Sequence, residues 1–305
     1  KGMRQSRRKT LASIVGAAMR MQGGGVLALG RSMVGPAYAK HRIKRVDRFL
    51  GNDQVETDAV SEGLFDAFRP RNGHVVVLVD WTDRGAFQQL VLALPREGRA
   101  LPFYSITVKK SVVSGEEDGE MVLAEQVALH ALERMCKGTI RPVIIADRGF
   151  GNSRWLQDVS RRGWYYVQRN ARNHYIETES YTGIIQDLGI RRGYRPRDHG
   201  WGTLGEKNWG PIRLVSVFQR DAKEPWFLLT NIPNEPPAQI VRYYQRRMWI
   251  EAMFRDLKNR EWGLGTDTVR LTRPQRYDRH FIIIAIAYIL LTAFGAVAER
   301  TGLGH

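Results

Sequence analysis

Three carboxylates and three polar partners are the residues through which this chain could do chemistry. Asp80 closes the apolar run VVVLVD and Asp147 closes VIIAD, each followed by a turn. Glu251 stands in RYYQRRMWIEAMFRDLK (Arg242 to Lys258), amid many arginines. Read as one helix at about 100° per residue, that stretch sets Tyr244, Arg247, Glu251 and Lys258 within about 60° of arc. Trp249, Ile250, Met253 and Leu257, with Phe254 at the edge, fall on the other side, so the helix has a dry back and a charged front. A surface helix whose acid is neutralised by its neighbours has this pattern too. So does a site where an acid binds a cation while bases hold an anion. Carboxylates ending neighbouring strands can stand side by side at a sheet edge, where ligands of open α/β sheets sit. A lone Asp there is commonly a turn or cap residue. Three carboxylates together repel unless a counter-charge joins them, and divalent cations supply one. Magnesium takes oxygen ligands, and two such ions about 4 Å apart can activate an attacking oxygen and stabilise the leaving oxygen of a phosphodiester. Arg247 and Lys258 would then hold phosphates, and Tyr244 could hydrogen-bond another.

These residues need elements to position them. HVVVLVDWT (His74 to Thr82) reads as a buried strand, and Phe87 to Leu94 and Leu101 to Val108 as two more in a meander. A helix follows from about Met121 to Lys137, then a strand over Val143 to Ala146, with Gly149 and Gly151 to turn the chain after Asp147. Ser153 to Arg162 reads as helix and Trp164 to Gln168 as strand. The order β-β-β-α-β-α-β predicts a mixed α/β sheet carrying helices. From Asn170 to Lys223 the pattern degrades into Gly, Arg, Tyr and Trp with isolated strands such as Arg213 to Phe218, a β-rich insertion. PWFLLTN (Pro225 to Asn231) is a further strand, and Pro236 and Pro237 start the helix bearing Glu251. The domains expected are a basic helical region (1–70), a first core part (71–169), the insertion (170–223) and a second core part with C-terminal helices (224–305).

Lys and Arg number 47 against 31 acids, a net charge of +16 that favours a polyanion as partner. The first fifty residues hold twelve Lys or Arg and one acid, Asp47. Within them KHRIKRVDRFLG reads as a helix with Ile43, Val46, Phe49 and Leu50 on one side and Lys40, Lys44, Arg45 and Arg48 on the other. That face suits a phosphate backbone, or plain solvent over a packed back. One cysteine, Cys136, excludes an internal disulfide and suits a reducing compartment. The seven histidines lack zinc-type spacing. Phe281 to Ala298 is a largely apolar run of 18 residues, the lower limit for crossing a bilayer, and reads as a buried core helix rather than a span.

LVDWT, IADRGF and the Tyr-x2-Arg-x3-Glu-x6-Lys spacing of Tyr244, Arg247, Glu251 and Lys258 resemble the DDE transposases of bacterial cut-and-paste insertion sequences, over roughly Lys40 to Phe294. The resemblance implies a ribonuclease H-like catalytic domain, a β-rich insertion between the second Asp and the Glu, and an α-helical N-terminal DNA-binding region. It implies Asp80, Asp147 and Glu251 as catalytic metal ligands for two Mg²⁺, with Mn²⁺ able to substitute. It implies DNA contacts from Tyr244, Arg247 and Lys258, and from the basic helix through Lys40, Arg42, Lys44, Arg45 and Arg48. The partners implied are terminal inverted repeats and target DNA, held by a homodimer in the bacterial cytoplasm at the nucleoid, with no membrane. The resemblance also implies a reaction course in which water would nick the DNA, the freed 3′-hydroxyl would attack the opposite strand to form a hairpin, and the opened ends would join a target. Hairpin formation resembles base flipping, and Trp226 stands where a stacking aromatic is expected, unless it is a core strand residue. The family often has a second tryptophan directly after the signature arginine. Met248 occupies that place here, and Trp249 points into the dry back. A DNA-binding remnant without catalysis and a structure-selective nuclease of the same fold are the alternatives.

Overall fold

The computed structural model describes residues 3–20, 23–110, 117–150, 153–205 and 209–302. In chain order the helices are α1 (Gln5–Ala18), α2 (Val26–Ser32), α3 (Ala39–Leu50), α4 (Thr57–Phe68), α5 (Glu117–Cys136), α6 (Ser153–Arg161), α7 (Pro237–Gln245), α8 (Arg247–Lys258) and α9 (Pro274–Arg300). The strands are β1 (Gly73–Asp83), β2 (Phe87–Arg96), β3 (Arg99–Lys109), β4 (Ile140–Ala146), β5 (Tyr165–Arg169), β6 (Tyr175–Thr178), β7 (Tyr181–Ile184), β8 (Arg197–Leu204), β9 (Trp209–Val217) and β10 (Trp226–Thr230). These divide into two compact units. One holds the described residues of Lys1–Arg69, Trp81–Met135 and Glu251–His305; the other holds Pro70–Asp80 and Cys136–Ile250.

The first unit is mostly helical, with β2 and β3 paired antiparallel. Its centre is the first half of α9. Phe281 to Ala285 are buried without interruption, which an all-round apolar helix requires of its neighbours. α1 and β3 pack against it. Phe87 meets Tyr277 at 5.2 Å between ring centroids, and Phe65 meets Phe103 at 5.1 Å. The second half of α9 departs from the expected core helix: Phe294 is 62% exposed and Val297 54%, with Leu290 and Leu291 also exposed. The helix is long and apolar enough to cross a bilayer by length and composition, but its buried half is the centre of this unit. α2 and α3 pack closely, because Gly30 has no Cβ to strike the Ile43 backbone.

The second unit contains a large mixed sheet in the order β1-β4-β5-β10-β9-β8-β6-β7. β1, β4 and β5 are parallel; the other neighbours are antiparallel. Valine and isoleucine fill the parallel strands because both faces are covered. The stretch from Asn170 to Lys223 supplies β6 to β9, and these continue the same sheet outward. This α/β arrangement is compatible with a ribonuclease H-like transposase domain. The turn after Asp147 is a short 3-10 helix, Arg148–Phe150, closed by the Phe150 N–H on the Asp147 carbonyl at 3.0 Å. Gly151 lies outside the described residues.

Candidate active site

The parallel register of β1 and β4 fixes where the two aspartates stand. Gly73 pairs with Ile140 and Leu78 with Ile145. Asp80 and Asp147 each follow two residues after that last pair, so they occupy matched positions at one end of the sheet. Side chains separated by an even number of residues share a face. Two like charges so placed repel unless a cation joins them.

Arg247, at the start of α8, is that cation. Its Nη2 donates to Asp80 Oδ2 at 3.2 Å and stands 3.1 Å from Asp147 Oδ2. The Arg247 side chain is only 7% exposed, so its charge and those of both carboxylates act in a weakly screened setting. Tyr244, at the end of α7, donates its hydroxyl to Asp147 Oδ1 at 3.0 Å. Burial, and then the nearby Asp147 charge, push the Tyr244 hydroxyl well above its ordinary pKa, so it keeps its proton and remains a donor. Trp226, at the start of β10, meets the Tyr244 ring edge-on at 4.9 Å with an interplanar angle of 73°. A run of contacts therefore leads from Trp226 through Tyr244 and Asp147 to Arg247 and Asp80.

The signature stretch is two helices, not the single one expected. α7 ends at Gln245 and α8 begins at Arg247. Tight bonds one residue shorter than α-helical span the joint, from the Arg246 N–H to the Tyr243 carbonyl and from the Trp249 N–H to the Arg246 carbonyl. Tyr244 thus belongs to a different helix from Arg247, Glu251 and Lys258, and the single-helix arc does not describe all four. Glu251 follows Arg247 by one turn of α8 and is exposed; Lys258 closes the helix, its Nζ 5.8 Å from the Phe254 ring centroid. Trp249 is half-buried, and Met248 is 40% exposed.

On α3, Lys40, Lys44, Arg45 and Arg48 are exposed, while Val46, Phe49 and Leu50 are buried. Arg42 differs from the others. It folds back to donate to the carbonyls of Gly35 at 3.2 Å and Arg31 at 3.4 Å, bracing the α2–α3 connection.

Sequence reasoning missed Glu224, two residues before Trp226. Its carboxylate takes Arg169 and Arg172, with Arg148, the residue after Asp147, at 3.8 Å. Burial works against its charge, but Arg169 and the other guanidiniums outweigh that and hold it below the usual carboxylate range. No periodicity marks it, because its partners come from two other segments, Arg148 after β4 and Arg169 and Arg172 at the end of β5 and just beyond.

Among the described residues no three His, Cys, Asp or Glu side chains form a group able to hold a metal ion. Two carboxylates do converge on a single positive charge, Arg247. Hard oxygen donors gathered in pairs are what a divalent cation such as magnesium takes, so Asp80 and Asp147 fit one.

The transposase DDE domain family matches residues 107–290, more than half of the chain. That span holds Asp147, Trp226, Tyr244, Arg247, Glu251 and Lys258 and begins after Asp80. Comparison with curated proteins finds no match. Transposases of this type act on DNA and generally use divalent metals. By a match over more than half its length, this chain belongs to the transposase DDE domain family.

Proposed function

We propose that this protein is the cut-and-paste transposase of a bacterial insertion sequence. It binds the terminal inverted repeats of its element as a homodimer, cleaves there, and joins the freed ends to target DNA. The catalytic residues in this reading are Asp80, Asp147 and Glu251. They would hold two Mg²⁺, or Mn²⁺ in substitution, and the ions when bound supply an activated hydroxyl and a charge for the leaving oxygen. Tyr244 orients the Asp147 carboxylate by donating to it. Arg247 balances the aspartate pair and offers its guanidinium to a DNA phosphate; Lys258 offers a second charge. Trp226, braced edge-on by Tyr244, is the aromatic on which a displaced base would stack during hairpin formation. Residues 1–70 form the DNA-binding region, in which Lys40, Lys44, Arg45 and Arg48 meet phosphates and Arg42 shapes the helix pair. The catalytic core spans 71–169 and 224–305, ribonuclease H-like and interrupted by the insertion 170–223. The working place is the cytoplasm, on nucleoid DNA.

The observation that carries this reading is the register-matched pair Asp80 and Asp147 sharing Arg247, inside a transposase-family chain. The test uses a plasmid bearing candidate terminal repeats, with and without Mg²⁺, followed by mapping of the ends. Asp80→Asn, Asp147→Asn and Glu251→Gln are each expected to bind the repeats normally and to cut below detection. Cleavage at the wild-type rate by any of them would remove that residue from the assignment. Cutting by the wild-type protein without joining would assign a nuclease instead.

A further inference from the structure

We propose that the segment RRGYRPR (Arg191–Arg197), together with Arg220, is a pre-set platform that grips the phosphate backbone of duplex DNA. It is a binding surface additional to the basic helix α3 and to the signature residues, and it rests on the transposase reading.

The sheet unit treats its arginines in two ways. Arg213 is nearly buried and has Asp198. Arg169 and Arg172 have Glu224. The run between β7 and β8 is treated differently. Arg191, Arg192, Arg195, Arg197 and Arg220 are all exposed, and among the described residues none of them has a carboxylate within ion-pair distance. The run itself contains no acid. Exposed guanidiniums without ion-pair partners along one short run, with Arg220 beside it, raise the local potential, which favours a polyanion.

The platform is also built. Its Gly193 N–H donates to the Phe218 carbonyl at 2.7 Å, tying the loop to the end of β9. The Arg192 guanidinium lies 4.6 Å from the Phe218 ring centroid and donates to the Arg220 carbonyl at 3.5 Å. Gly193 has φ +80°, and the space a Cβ would take is filled by the Arg220 stem, with Cγ at 3.2 Å. Glycine is thus needed twice, for its backbone and for the close approach of Arg220. Tyr194, 63% exposed, adds a hydroxyl donor, and Pro196 fixes one dihedral ahead of β8. Guanidiniums held in place before binding lose less freedom on meeting phosphates. Arginine forks suit phosphate oxygens, and bonds of this kind position a duplex without reading its sequence.

The test measures binding of a short duplex of arbitrary sequence across a salt series. The triple variant Arg191→Gln, Arg195→Gln, Arg197→Gln is compared with wild type. A control, Arg71→Gln, Arg154→Gln, Arg273→Gln, removes the same charge from exposed arginines elsewhere. For every phosphate that is no longer neutralised, the slope of log affinity against log salt should fall by about 0.9, so by about 2.7 for the triple variant and by little for the control. Gly193→Ala, which keeps every charge, should weaken binding several-fold. A wild-type slope in the triple variant, or an equal fall in the control, would overturn the platform. Wild-type affinity in Gly193→Ala would overturn its being pre-set. Failure of the wild-type chain to bind any duplex would instead sink the transposase reading.

Discussion

Two sites in this molecule hold half-buried aspartates in opposite ways. In the sheet unit, Asp80 and Asp147 share the guanidinium of Arg247, and Asp147 also accepts from Tyr244. In the helical unit, Asp278 on α9 has neutral partners. Its Oδ1 accepts from Thr107 Oγ1 at 2.7 Å and Ser105 Oγ at 3.3 Å. Burial pushes the Asp278 carboxyl up to about 7, although those hydroxyls and Gln89 pull the other way. Glu125, accepting the Trp81 indole N–H at 3.3 Å, is likewise pushed up by burial to about 7. Arg84 gives its hydrogen bonds to Gln89 and Thr266 rather than to an acid. A carboxyl taken out of water with only neutral donors beside it is pushed toward its protonated form by burial, which those donors offset only in part. A pair given a guanidinium has a cation held between its two carboxylates, where a metal ion could also sit. The same residue type is thus structural in one unit and chemically available in the other, and the difference lies in the partner supplied.

The largest way to break this comparison is to remove the cation. Arg247→Met leaves two facing carboxylates with their buried counter-charge gone. Breaking a buried ion pair by deleting one partner costs roughly 3–5 kcal/mol. Thermal unfolding should show a loss of that order. Added Mg²⁺ should raise the variant's Tm more than the wild type's, because an ion binding only the folded state stabilises it by mass action. A Tm unchanged by the substitution would mean the aspartates do not depend on Arg247.

Next in size is the titration of Asp278. Its pKa is higher in the folded chain, about 7, than the ordinary 3.8. Between those values the folded state binds more protons than the unfolded state, so stability falls as pH rises through that window and is flat above it. The full span corresponds to on the order of 4 kcal/mol. Asp278→Asn removes the titrating group while keeping an oxygen for Thr107. The variant should lose part of the decline between about pH 4 and 7, with the remainder due to groups such as Glu125. Denaturant unfolding at a series of pH values measures this. A variant with the wild-type pH slope would show Asp278 to be ionised in the folded chain.

Only part of one side of this contrast is legible in the sequence alone. The valine and isoleucine runs mark β1 and β4 because strands covered on both faces need continuous apolar residues. The signature spacing marks Arg247 and Glu251. The register that aligns Asp80 with Asp147 is not legible, since parallel pairing joins segments separated by several other elements. The break at Arg246 is hidden because nothing in RYYQRRMW is a helix breaker. Arg42 reads as one more surface base, yet the chain ahead of it bends so that carbonyls come within its reach. The apolar run of α9 continues past Ile289, but the surrounding core does not, and no periodicity marks where its cover ends. Asp278 and Glu125 could not be read as buried acids, because polar residues are by default assigned to the surface.

The smallest effect sharpens the comparison most, since it asks whether one hydrogen bond senses the charge of its acceptor. Tyr244→Phe removes the donor to Asp147 and keeps the ring against Trp226. Thr107→Val removes a donor to Asp278 at nearly constant volume. Hydrogen bonds to charged groups are worth about 1.5–3 kcal/mol and neutral ones about 0.5–1.5. At pH 5.5 the Tyr244 variant should therefore lose more stability than the Thr107 variant. Above pH 7 the order should narrow, because Asp278 then ionises and its remaining donors must serve an anion. Equal losses at pH 5.5, with no growth of the Thr107 effect at higher pH, would mean that both aspartates carry the same charge and that the guanidinium of Arg247 is not what separates them.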